Sequence, residues 1–128
     1  MDDHIRSRDE LRQVVNFAGL EYGNITPTDI DGVLEFQDKV VVFMEAKYGG
    51  REPPLGQKLA LERLCNNCLT AGKRSIVLVA RHDTLGEIML SVCEVFLVYV
   101  NGQWRPPFRC LTVREAIDSF LASAHGRG

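Results

Sequence analysis

The chain has 128 residues, of which 45% are hydrophobic and 25% are charged, and its formal net charge is −2. This length and composition are typical of one ordinary globular domain and leave no room for a second. We expect a single domain over residues 1–128, with a core from about residue 7 to 122 and a short disordered tail. No apolar run approaches membrane-spanning length, and the acidic start lacks the features of a signal peptide, so the sequence predicts a cytoplasmic protein without a membrane partner.

The first helix is predicted near the start of the chain. Ser7 to Glu10 has the form of a capping box, and apolar residues follow at helical spacing until Gly19 or Gly23. We expect this helix to pack on a sheet.

The stretch from Thr28 to Lys47 carries the most informative pattern. Asp29 and Asp31 open one apolar run, and Glu45 and Lys47 close the next. The second run has no polar residue from Val40 to Met44, which is typical of a buried central strand. Because carboxylates near a core cost free energy unless they are paired or bind a metal, the charged ends predict a site at the sheet edge.

Strand alternation decides which of these side chains can meet. Glu45 and Lys47 share a face, and Asp31 joins them only if the hairpin loop has three residues, 37–39; a two-residue loop would turn Asp31 to the other face. We therefore predict a three-residue turn or a bulge. Two carboxylates and the backbone carbonyl of Ala46 would then offer the oxygen ligands that Mg²⁺ prefers, with Mn²⁺ as a substitute. Lys47 would orient or help to deprotonate an attacking water and stabilise charge on a phosphate.

These residues, Asp-(Gly-Val-Leu-Glu-Phe) followed by (Val-Phe-Met)-Glu-Ala-Lys, resemble the core of the PD-(D/E)XK nuclease superfamily, which includes Holliday-junction resolvases and phage and repair nucleases. The resemblance covers roughly residues 7–82. It implies a three-layer, restriction-endonuclease-like α/β fold with a mixed central sheet flanked by helices. It also implies a metal-dependent nuclease that hydrolyses phosphodiester bonds of DNA, including structured or branched DNA, and that works as a homodimer.

The resemblance also assigns roles to individual residues. Asp31 and Glu45 would be metal ligands, Lys47 the catalytic lysine, and Gln57 its polar neighbour on the following helix. The superfamily's proline lies directly before the aspartate, whereas Pro27 here is two residues before Asp29 and four before Asp31, so Asp29 is the alternative ligand. By position, Glu10 could add a third acidic group, although the reciprocal cap of the first helix is the preferred interpretation.

The segment after the strand is basic. Residues 45–81 carry a net charge of +4, which could track a phosphate backbone or could belong to ordinary surface ion pairs. Tyr48 and Arg51, in a Gly- and Pro-rich loop beside the site, and Lys58 on the next helix are the candidate DNA contacts. His82 could carry a proton or contact phosphate, but local polar structure explains it as well.

The remaining elements follow from periodicity and turn residues. A helix over 55–71 is expected to turn Leu61, Leu64, Cys65 and Cys68 inward, and Gln57 falls on the same face one turn before Leu61. The four cysteines, which include Cys93 and Cys110, are expected to be buried free thiols because the second ligand pair of a zinc ribbon is missing. Residues 75–80 form a predicted strand parallel to 40–47. A hairpin over 92–105 turns at Asn101-Gly102 and pairs Tyr99 with Trp104, and a second capping box at Thr112–Glu115 opens the last helix.

Two alternative functions belong to other classes. The chain could be a catalytically inactive nuclease-fold module that binds nucleic acid or serves as a scaffold. Alternatively, Asp29-Ile30-Asp31 could be the metal-binding Asp-X-Asp of a sugar transferase, although the chain is short for a nucleotide-sugar domain and lacks a glycine-rich phosphate turn.

Overall fold

A computed structural model describes residues 15–123 and shows an α/β fold. Its mixed sheet has five strands in the order β1-β2-β3-β4-β5, in which β2 and β3 run parallel and every other neighbouring pair is antiparallel. The strands are β1 (Gly32–Phe36), β2 (Val40–Tyr48), β3 (Arg74–His82), β4 (Glu94–Val100) and β5 (Gln103–Arg105); the helices are α1 (Leu55–Thr70) and α2 (Val113–Ser123), with a short 3₁₀ turn at Leu90–Val92.

Each face of the sheet packs against one of the two helices. Side chains alternate along β2, so Val42 and Met44 join the cluster under α2, whereas Val41 and Phe43 join the cluster under α1. The two clusters are the core, and β2 and β3 supply buried residues to both. The buried central strand predicted at Val40–Met44 is confirmed over Val41–Met44.

The register of the first hairpin is the predicted one. Phe36 pairs with Val40 and Gly32 with Met44, which leaves residues 37–39 as a three-residue loop. Gln37 and Asp38 adopt left-handed φ angles of 51° and 64°, and the backbone N–H of Lys39 donates to the carbonyl of Phe36 at 2.9 Å. Continuing the same register places Asp31 opposite Glu45.

The elements of the second half are also confirmed. Residues 74–82 form a strand parallel to β2, and the Asn101-Gly102 turn pairs Tyr99 with Trp104, whose rings lie 5.1 Å apart. At the start of α2, the N–H of Glu115 donates to Thr112 Oγ1 at 3.2 Å and the N–H of Thr112 donates to Glu115 Oε1 at 2.9 Å. These reciprocal bonds are the predicted capping box.

Three predictions are wrong. Residues 15–19 are not helical; the N–H of Ala18 instead donates to Asn16 Oδ1 at 2.9 Å, which competes with helical bonding. Leu64 is 40% exposed because it lies at the margin of the stripe centred on Leu61 and Cys65, and Cys110 is exposed rather than buried.

The first capping box, Glu10 and the tail lie outside the described residues. Within residues 15–123, neither helix is long and apolar enough to cross a membrane.

Candidate active site

Four of the predicted site residues meet on the α1 face, at the sheet edge where β2 ends. Glu45 and Lys47 follow Phe43 at alternate positions and therefore share its face. Gln57 lies in the first turn of α1, which covers this face, and Asp31 reaches it from the residue before β1. The structure thus brings together Asp31, Glu45, Lys47 and Gln57.

Asp31 lies just before β1, and its side chain bonds to the backbone of β2 beyond the last pair of the β1–β2 ladder. Its Oδ2 accepts the backbone N–H of Ala46 at 2.7 Å, and its own N–H donates to Glu45 Oε1 at 3.3 Å. Asp29 takes part through its backbone carbonyl, which accepts from Gln57 Nε2 at 3.1 Å. Of the two candidate aspartates, Asp31 is therefore the one whose carboxylate contacts the Glu-X-Lys segment.

Glu45 is a buried acid at the margin of the core. It is 4% exposed, and its Oε2 forms an ion pair with Lys47 Nζ at 3.5 Å. Burial, and then the neighbouring charge of Asp31, raise the pKa of Glu45. The backbone N–H of Asp31, the charge of Lys47 and the side chain of Gln57 lower this pKa, but they offset the rise only in part. Burial therefore makes the charged form of this carboxyl less favourable than it is in water, and a further positive charge nearby would oppose that effect.

The side-chain amide of Gln57 has a hydrogen-bonded nitrogen and an oxygen without a partner among the described residues. Its Nε2 donates to the Asp29 carbonyl, whereas its Oε1 is buried and has no hydrogen-bond partner among the described residues. An amide oxygen only accepts, so it suits a water or an ammonium such as that of Lys47, and it does not suit an ionised phosphate oxygen. Gln57 thus lies in the first turn of α1, and its free amide oxygen can accept a hydrogen bond but cannot donate one.

The oxygens at this edge fit a hard divalent cation. Asp31 and Glu45 each accept a backbone bond through one carboxylate oxygen; the second oxygen of Glu45 faces Lys47, and that of Asp31 has no hydrogen-bond partner among the described residues. The carbonyl of Ala46 points to the same side as its N–H, towards Asp31, where β1 no longer pairs with β2. Two carboxylates and a carbonyl, with the pKa of the buried acid raised, form a donor set that an ion such as Mg²⁺ would stabilise.

Residues 15–123 contain no group of three His, Cys, Asp or Glu side chains arranged to hold a metal ion. The donor set therefore depends on two side-chain carboxylates and one backbone oxygen. Glu10, the predicted third acid, lies outside the described residues.

The three candidate DNA contacts are arranged differently from one another. Tyr48 follows Lys47 and so points to the opposite face, where its ring lies edge-on to His82 at 5.5 Å. Lys58 pairs with Glu52 at 3.4 Å and lies 5.1 Å from the centre of the Trp104 ring. Arg51 is exposed in the loop beside the site. Of these residues, Arg51 has the placement most open to a ligand.

The basic residues of 45–81 do not form one surface. Lys73 and Arg74 lie at the far end of β3, where Lys73 binds Asp38 at 2.6 Å and Arg74 donates to the carbonyl of Phe120 at 3.0 Å. Lys47, Arg51 and Arg81 lie at the end that carries the site. Two groups of these basic residues therefore lie at opposite ends of β3, and one of them is at the end that carries the site.

Arg81 belongs to the basic segment, but its place beside Lys47 is not predicted by the sequence. Its partner across the β2–β3 ladder is Lys47, so both side chains share the α1 face. The helical crossover between the strands hides this pairing, because no local signal in the sequence sets the register of β3 against β2.

Comparison of the chain with protein-family models, with curated proteins and with solved structures finds no match.

Proposed function

We propose that this protein is a metal-dependent nuclease that hydrolyses phosphodiester bonds of DNA. The observation that carries the proposal is the meeting of Asp31, buried Glu45, Lys47 and Gln57 on one face at the end of β2. A lysine beside two carboxylates, one of them desolvated, is an arrangement suited to phosphate hydrolysis assisted by a divalent cation.

Each residue would have a distinct role. Asp31, Glu45 and the carbonyl of Ala46 would hold the cation, which when bound would neutralise charge on the phosphate. Lys47, which is 22% exposed in its side chain, would orient the attacking water and take up its proton or stabilise the developing negative charge. Gln57 would fix Lys47 or the water through its free oxygen.

The restriction-endonuclease-like assignment belongs to the same proposal. Its support is the antiparallel pair β1–β2, the helix α1 that follows the Glu-X-Lys segment, and the parallel strand β3 beside β2. A homodimer is the further expectation, because a domain of this size would reach one strand of DNA. Light scattering after size-exclusion chromatography measures that state directly.

The proposal is tested with labelled single-stranded, duplex, flap and four-way-junction DNA in Mg²⁺, Mn²⁺ or EDTA. We expect wild type to cut at least one substrate with either metal and none in EDTA, and we expect Asp31→Asn to lose this activity while keeping its circular dichroism spectrum. The preferred substrate would identify the DNA structure on which the protein acts.

The inactive nuclease-fold module makes the opposite prediction. A folded wild type that binds DNA but cuts no substrate in either metal would replace the nuclease proposal with that module.

A further inference from the structure

We infer that Arg81 binds a phosphate of the DNA strand next to the phosphate that faces Lys47, and so positions the substrate in the site. This inference rests on the proposed function for the identity of its ligand. It extends the site by one strand, from β2 to β3.

The position of Arg81 follows from the sheet. The site residues lie side by side along one end of the sheet and share the α1 face. Asp31 lies just before β1, Glu45 and Lys47 lie on β2, and Arg81 lies on β3. Neighbouring strands lie about 4.8 Å apart, so Arg81 is one strand farther than Lys47 from the carboxylates. From β1 to β3 this edge therefore changes from acidic to basic, with the cation ligands at one end and the guanidinium beyond the lysine, and Glu94 follows on the next strand, β4.

Two neighbours hold the guanidinium in place. Its central carbon lies 5.1 Å from the centre of the Phe96 ring, within the range of a cation–π contact. The backbone of Gly50 also approaches this side chain, and an added Cβ there would lie 3.2 Å from Nη1 of Arg81. Glycine at position 50 therefore leaves the room that the guanidinium uses.

The donors of Arg81 remain open to a ligand. Among the described residues its side chain makes an ion pair with Glu94 at 3.7 Å, and it donates no hydrogen bond there. Both side chains are about half exposed, 48% and 49%, so this pair contributes little and can give way to a stronger partner. A phosphate is such a partner, because the planar fork of N–H groups matches two phosphate oxygens.

The test compares Arg81→Ala with Arg114→Ala. Arg114 is an exposed arginine on α2 that pairs with Asp118 at 3.2 Å, so its variant removes the same charge away from the site. Affinity for a labelled duplex is measured by fluorescence anisotropy at several salt concentrations, with Ca²⁺ in place of Mg²⁺. We expect Arg81→Ala to weaken binding about tenfold. The slope of log K against log salt is negative, and we expect its magnitude to fall by about 0.9 in Arg81→Ala and to stay the same in Arg114→Ala.

A conservative variant separates charge from shape. Arg81→Lys should restore the slope, since it keeps the charge, while it recovers only part of the affinity. In a cleaving enzyme, Arg81→Ala should raise KM with little change in kcat, because its phosphate does not react.

The outcomes distinguish this inference from the proposed function. If Arg81→Ala and Arg114→Ala bind alike, the inference is overturned whether or not the protein cuts DNA. If wild type cuts nothing but binds DNA with a slope that depends on Arg81, the nuclease proposal fails and the phosphate contact stands. If wild type binds no DNA, both fail.

Discussion

Two adjacent glycines offer a matched test of how Arg81 is held. Gly49 and Gly50 both have left-handed backbones, with φ of 64° and 76°. An added Cβ at Gly49 would meet nothing within 4 Å, whereas the same atom at Gly50 would lie 3.2 Å from Arg81 Nη1. Gly49→Ala and Gly50→Ala therefore impose the same kind of backbone strain, and only Gly50→Ala disturbs the guanidinium.

The expected magnitudes follow from these two effects. A left-handed backbone costs a residue with a Cβ about 1–2 kcal/mol. For a chain of 128 residues, 1 kcal/mol lowers Tm by about 4 °C, so each variant should lose about 4–8 °C. The contact at position 50 is met by the end of a flexible side chain, so it should add little to this loss, and the guanidinium should move instead.

The assay is DNA affinity at several salt concentrations, measured below the Tm of both variants. Gly50→Ala should bind between about twofold and tenfold more weakly than Gly49→Ala and should show a lower salt slope, because the phosphate contact of Arg81 is displaced. Equal affinities for the two variants would refute the role given to the close approach of Gly50 and Arg81.

Three further predictions concern the site and the fold. Because the pKa of Glu45 is raised by burial and by Asp31, the folded protein binds this proton more tightly than the unfolded chain; without metal, the free energy of unfolding should therefore fall as pH rises from 4.5 through the raised pKa. Urea titrations in EDTA should show this fall in wild type and a flatter profile in Glu45→Gln. Leu61→Ala removes a fully buried side chain under α1 and should cost about 2–5 kcal/mol in urea denaturation; a loss below 1 kcal/mol would contradict that packing. Thr112→Ala breaks the capping bond to Glu115 and should cost about 1 kcal/mol by the same measurement. An unchanged stability would refute the contribution of this cap.

The hairpin and the acidic part of the site could be predicted because they depend on local rules. Alternation placed Glu45 and Lys47 on one face, and the requirement that Asp31 join them selected the three-residue loop that the structure shows. Helical periodicity placed Gln57 at the end of the inward stripe of α1, which is where it meets Asp29.

The parts that could not be predicted depend on pairings between distant segments. Arg81 meets Lys47 through a parallel register that is set by packing across α1, and no local pattern reports it. The contact between Gly50 and Arg81 depends on the path of the loop in the same way. Tyr48 is a different case, because alternation alone places it on the face opposite Lys47, and that rule could have excluded it from the face of the site.

The most direct test of the nuclease site compares Lys47→Ala with Lys73→Ala. Lys73 pairs with Asp38 at the far end of the sheet, so its variant removes the same charge without touching the site. Single-turnover cleavage of the preferred DNA in Mg²⁺ should slow by about 100-fold or more in Lys47→Ala and should be unchanged in Lys73→Ala. Cleavage by folded Lys47→Ala at the wild-type rate would contradict the site described above.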